Sequence, residues 1–92
     1  MKQKIYKDGY VYLGNRPLHR VVVEQFLKRK LRPNEQVHHI NEIKNDNRIE
    51  NLMLFPNKLE HIKFHKKIIQ FGFTKEIIGQ INNRWQTQEK IK

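Results

Sequence analysis

Gln36-Val37-His38-His39-Ile40-Asn41, then Glu50-Asn51-Leu52, then Glu60-His61 with His65 four residues on, decide how this chain is read. Residues 36–40 make a short strand and 41–47 are dense in turn formers. A second strand over 49–55, with Leu52 and Leu54 on one face, completes a hairpin with a longer loop, and Pro56 halts it. Asn57 is an N-cap with Glu60 in capping-box position. Leu59, Ile62, Phe64, Ile68 and Ile69 then supply apolar helical contacts up to Phe71, and Gly72 is the stop. Strand, strand, helix is the expected middle of the protein.

That scaffold gives the histidines their chemistry. His61 and His65 emerge one helical turn apart and can converge on one ion, with His38 closing the set. A strand alternates its faces, so His38 and His39 cannot both point at one atom. One ligand and one base is the natural division: a neutral His39 can take a proton from water attacking a phosphodiester. Three protein ligands leave an open coordination position, as a catalytic metal requires. A histidine pair four apart on a helix is by itself also what a solvated face looks like.

Upstream, Tyr10-Val11-Tyr12-Leu13 reads as a short strand or hairpin at a sheet edge, closed by Gly14-Asn15. From Pro17 an amphipathic helix runs, ending before Pro33. Its stripe is Leu18, Val21, Val22, Phe26 and Leu27, with Arg20, Glu24, Lys28, Arg29 and Lys30 pointing elsewhere. His19 at its start reads as exposed or bonded to backbone. Thr74 caps a last helix over about 74–90 with a stripe of Ile77, Ile78, Ile81 and Trp85, most simply a packing face, and Gln86 to Lys92 is polar enough to fray.

At 92 residues the expectation is one domain, spanning 1–92, near the size where a bound metal or nucleic acid adds useful stability. Nineteen Lys and Arg against nine Asp and Glu leave a net charge of +10, a field that attracts polyanions and fades with salt. Nucleic acid is the expected partner, although a small basic protein can be merely soluble. No cysteine is present, so disulfides, thiolate zinc knuckles and cysteine nucleophiles are excluded, and any metal site is built from nitrogen and oxygen. Neither a secretory leader nor a run of membrane-spanning length is visible, and a cytoplasmic location, in a bacterium or a phage-infected host, is the expectation.

In this order, Val37-His38-His39-Ile40-Asn41, Asp46-Asn47-Arg48, Glu50-Asn51-Leu52 and Glu60-His61 to His65 resemble the HNH nuclease family. Gly9 to Tyr12 and His19 to Leu27 are similar to the segment preceding the motif in phage-type HNH homing endonucleases. The resemblance covers roughly residues 9–65. It implies an α+β chain with a ββα-metal fold, its core motif over about 36–71, preceded by a short strand or hairpin and a helix and followed by a C-terminal helix. It gives His38 the role of metal ligand and His39 that of general base. Asn51 becomes the asparagine bracing the hairpin loop, His61 the helix ligand and His65 an additional ligand. The ion implied is divalent, Mg2+ or Mn2+ first, with Zn2+ or Ni2+ as the softer ions that imidazole-rich relatives accept, so the three histidines leave the metal open.

In the loop, Asn47 serves the turn, while Arg48 either touches phosphate or is solvated. Arg29, Lys30, Arg48, Lys63, Lys66 and Lys67 are candidates for DNA backbone contacts, mattering more together than singly. A metal-dependent DNA endonuclease leaving 5′-phosphate and 3′-hydroxyl ends, of weak sequence preference and acting as monomer or homodimer, is the activity implied. The alternatives are a DNA-binding module of the same fold that does not cut, and, last, a purely structural zinc domain.

Overall fold

A computed structural model describes residues 3–5 and 8–85 of the chain, which is an α+β protein. Strands β1 (Gln3–Ile5), β2 (Val11–Leu13) and β3 (Arg16–Pro17) form an antiparallel sheet in that order. Leu13 pairs with Arg16, so Gly14-Asn15 is a two-residue hairpin turn, and Gly14 takes the positive φ of 65° that such a turn requires. The expected edge position of the Tyr10–Leu13 segment is corrected here. β2 is the central strand, because Gln3-Lys4-Ile5, too short to carry much strand signal, pairs along its other side.

Helix α1 (Leu18–Leu27) starts directly after Pro17 and ends where Lys28 turns left-handed at φ 60°. Its buried residues are Val23 and Glu24, which corrects the expected stripe: Phe26 is 45% exposed and Glu24 faces inward. A buried carboxylate is tolerated because it is paired. Arg16 donates to Glu24 at 2.9 Å and the Leu31 amide donates to it at 2.8 Å. The pairing pulls the Glu24 pKa down to about 2, with the Arg16 hydrogen bond the main cause and burial opposing it. Periodicity alone gave no sign that Arg16, eight residues away, would cancel the cost.

Strands β4 (Gln36–His39) and β5 (Leu52–Phe55) pair antiparallel, His38 opposite Met53 and His39 opposite Leu52. Where a strand was expected from residue 49, Ile49–Asn51 forms a single 3-10 turn. All four β5 residues are buried, because the hairpin is a middle layer rather than a half-exposed one. Leu52 and Leu54 pack with Val23 and Leu31 on the α1 side. Met53 and Phe55 pack with Phe64 and Ile77 on the other. Those last two come from α2 (Lys58–Phe71) and α3 (Lys75–Asn82).

Both C-terminal helices begin as their sequences dictate: Asn57 accepts from the Glu60 amide and Thr74 from the Ile77 amide. Gly72, at φ 72°, closes α2 with its amide on the Ile68 carbonyl. The expected apolar stripe of α2 is narrower than it reads. Only Phe64 is buried, with Ile68 packing partly, while Leu59, Ile62, Ile69 and Phe71 are exposed. In α3, Ile77 is buried and Ile81 partly covered, but Ile78 faces solvent; Trp85, also partly covered, lies beyond the helix end. Arg84 ties this end to the hairpin, donating to the Leu52 carbonyl at 2.7 Å and the Glu50 carbonyl at 2.9 Å. The helix expected to reach about residue 90 ends instead at Asn82, where the Asn83 amide closes it on the Gly79 carbonyl; the expected fraying of residues 86–92 lies outside the described residues. No helix among the described residues is long and apolar enough to cross a membrane.

Candidate metal centre and its neighbouring histidine

The alternation of β4 sends His38 toward α2, where residues four apart on one helical turn, His61 and His65, meet it. His61 Nε2 lies 3.0 Å from His38 Nδ1 and 3.1 Å from His65 Nε2. One nitrogen from each of the three rings falls within 4.8 Å of the others. Phe55 stacks on His61 with centroids 5.1 Å apart and planes 16° from parallel, while Phe64 meets His38 edge-on at 5.5 Å. Apolar rings thus hold the imidazoles in place.

Protonation and hydrogen bonding both point to a cation-binding set. Burial is the main cause pushing the His38 pKa down to about 3, followed by its histidine neighbours; burial and then His65 lower that of His61. Neutral imidazole is the form that ligates a metal. A ring nitrogen offers either one proton or one lone pair, so His61 Nε2 cannot make full hydrogen bonds to both neighbours at once. A cation between the three would satisfy all of them: tetrahedral bonds of 2.0–2.1 Å place ligand nitrogens about 3.3 Å apart, close to the two spacings that His61 Nε2 makes with its neighbours. His38 Nε2, on the far side of its ring, is buried with no hydrogen-bond partner among the described residues.

His39 faces the other way, toward α1 and β2. Its Nε2 donates to Asn47 Oδ1 at 2.7 Å, since an amide oxygen only accepts. Its ring meets His19 edge-on at 5.0 Å and Tyr10 at 5.9 Å. His19 was expected to be exposed or bonded to backbone, and the structure corrects this. Its Nδ1 is buried without a partner, and burial, aided by His39 and Arg20 and opposed by Asp8, takes its pKa down to about 4. The signal was available: His19 stands four residues before Val23, on the same inward face of α1.

Asn51 stands at the root of β5 and is buried. Its Oδ1 accepts from the Asn41 amide at 2.9 Å, and its Nδ2 donates to Asn41 Oδ1 and to the Asp46 carbonyl, both at 2.8 Å. Its own carbonyl accepts from the Ile40 amide at 2.8 Å. One side chain therefore closes the loop between the histidine-bearing strand β4 and its partner β5.

The basic residues are spread over several faces. Arg29 donates twice to Glu35 at 2.9 Å, and Arg48 donates twice to Asp46 at 2.8 and 2.9 Å. Lys30 is exposed. Lys63, Lys66 and Lys67 line a groove of about 750 Å³ between α2 and α3, together with Phe55, Gly79 and Arg84. Two and six residues from His61, Lys63 and Lys67 lie on the opposite side of α2 from the imidazoles. Lys67 also pairs with Glu76 at 2.7 Å. The structure thus brings His38, His61 and His65 together, sets His39 beside His19 and Asn47, and leaves most of the candidate cations apart from them.

Residues 16–61, half of the chain, match the family model of the HNH endonucleases. No curated protein and no solved structure matches the chain.

Proposed function

The chain belongs to the HNH endonuclease family, and from that premise we propose that it is a metal-dependent endonuclease hydrolysing the phosphodiester bonds of DNA. The observation that carries the reading is the convergence of three imidazole nitrogens within 4.8 Å, with His38 and His61 held neutral by burial. His38, His61 and His65 would hold the ion. When bound, it supplies Lewis-acid stabilisation of a nonbridging phosphate oxygen and of the departing 3′ oxygen. Three nitrogen donors suit Zn2+, Ni2+ or Mn2+ better than Mg2+, which prefers oxygen.

His39 is the general base of this reading. Asn47 fixes the proton on Nε2, so Nδ1 carries the lone pair that takes a proton from the attacking water. The water oxygen bonds to phosphorus as the P–O3′ bond breaks, and the departing oxygen takes a proton from solvent, leaving a 5′-phosphate and a 3′-hydroxyl. Asn51 keeps the loop carrying Asn47 in register with the strand carrying His39. Lys30, Lys63, Lys66 and Lys67, with Arg29 and Arg48 exchanging their acidic partners for phosphate, hold the duplex through a salt-sensitive field set by the +10 charge. Intracellular DNA, cut by a single-domain enzyme of the phage-type homing class, is the setting this proposal favours.

A plasmid-nicking assay with Mg2+, Mn2+, Ni2+ and Zn2+ tests it. Nicking by the parent chain and not by His39→Ala is the expected result. Salt-sensitive DNA binding with no nicking in any of the four ions would make the chain a binding module instead.

A further inference from the structure

Resting on the metal-centre reading, we infer that Glu42 is a positioning residue for the metal ligands, a single carboxylate that takes hold of His38 and His65 from behind. The observation is one oxygen facing two rings. Glu42 Oε1 lies 3.9 Å from His38 Nε2 and 3.6 Å from His65 Nδ1. These are the nitrogens turned away from the cluster, because His38 Nδ1 and His65 Nε2 are the atoms beside His61 Nε2. The carboxylate therefore sits outside the prospective coordination sphere, within a small side-chain movement of accepting the ring N–H that each ligand keeps. That locks each imidazole in the tautomer whose bare nitrogen faces the ion.

The rest of the loop supports the placement. His38 Nε2 is buried and otherwise has no partner, so a nearby acceptor answers a specific need. The Glu42 side chain is 67% exposed and free to swing, and a shift of ~1 Å brings both contacts to hydrogen-bond length. Its backbone, by contrast, is pinned: the Glu42 amide donates to the His39 carbonyl at 3.0 Å, and Asn51 holds the neighbouring Asn41. The residue takes φ 64°, a conformation suited to glycine or asparagine, so a glutamate stands where the backbone alone would favour another residue.

Glu42→Gly and Glu42→Asn both suit that backbone and remove the carboxylate, so neither perturbs folding of the metal-free chain. Zn2+ affinity measured by competition with a chromophoric chelator should fall about tenfold to a hundredfold in both. The visible spectrum of the Co2+-saturated variants should keep the parent's band positions, since no ligand is lost. In the parent, 15N NMR of the imidazoles should show the proton on Nε2 of His38 and Nδ1 of His65, with mixed tautomers in the variants. Parent-like Zn2+ affinity in both variants would overturn the assignment, as would Co2+ bands that shift to report a missing ligand. A parent chain that binds neither ion would instead overturn the metal centre on which this inference rests.

Discussion

Asn47 accepts a 2.7 Å hydrogen bond from Nε2 of His39, and this contact chooses the tautomer of the one histidine in the motif that faces away from the cluster of His38, His61 and His65. Asn47→Ala frees the ring to rotate and to carry its proton on either nitrogen. Nicking should slow by about tenfold to a hundredfold, less than the 10²–10⁴-fold expected when the base itself is removed in His39→Ala. Zn2+ affinity should match the parent's; an Asn47→Ala variant that cuts at the parental rate would remove the contact from the mechanism.

Asn51→Ala removes three side-chain hydrogen bonds at once, leaving the Asn41 amide and the Asp46 carbonyl short of partners in a part-buried loop. A loss of roughly 2–3 kcal/mol is expected in urea unfolding, since buried polar groups bear the full cost of a missing partner. Activity should fall as well, because this loop carries Asn47. Unchanged stability would show that the brace is dispensable.

Glu24→Gln breaks the pair with Arg16 beneath α1 while keeping an acceptor for the Leu31 amide. The variant should be less stable in urea unfolding, by less than the loss of a fully buried pair, because Arg16 is partly exposed and can turn to water. The pH dependence has a definite sign. With the folded pKa lowered to about 2 from an ordinary value of 4.5, the contribution is present above pH 4.5 and disappears as pH falls toward 2. In the variant, that part of the acid limb should flatten.

His19 loads a second, higher window of pH. Its ring titrates at about 4 in the folded chain against ~6.5 when unfolded, so below pH 6.5 the unfolded state binds the extra proton. Stability should therefore be unaffected by His19 above pH 6.5 and decline between 6.5 and 4, by up to ~3 kcal/mol. His19→Phe keeps a ring against Tyr10 and His39 and cannot titrate; its difference curve from the parent, read by thermal melts across that range, should carry this slope.

Metal should stabilise the fold as well as enable chemistry. Zn2+ at a hundred times its dissociation constant is expected to add about 2.7 kcal/mol, which for a chain of this size raises the melting temperature by roughly 10 °C or more, reversibly on chelation. His61→Ala removes the ring whose Nε2 faces both other nitrogens and should abolish the shift. A full shift in that variant would mean that the ion binds elsewhere.

Much of this architecture was readable before folding. The caps at Asn57 and Thr74, the stop at Gly72, the turn at Gly14-Asn15 and the one-turn spacing of His61 and His65 all depend on residues within four positions of each other. Strand alternation likewise divided His38 from His39. The inward face of α1 was misphased because Glu24 reads as a surface charge until Arg16 is seen beside it. The exposed stripe of α2 was overcounted because an apolar residue at helical spacing reads the same with or without a neighbour to cover it.

Local chemistry thus determined most of the elements, the order of the imidazoles and the net charge of +10, since these depend on neighbouring residues or on composition alone. Which side chains share a compartment was decided by the packed hairpin, with α1 on one face and α2 and α3 on the other. His19 reached His39, and Glu42 came behind His38 and His65, through that layering. Contacts across 20 or more positions arise when apolar faces are buried together, and no periodicity along the chain encodes them.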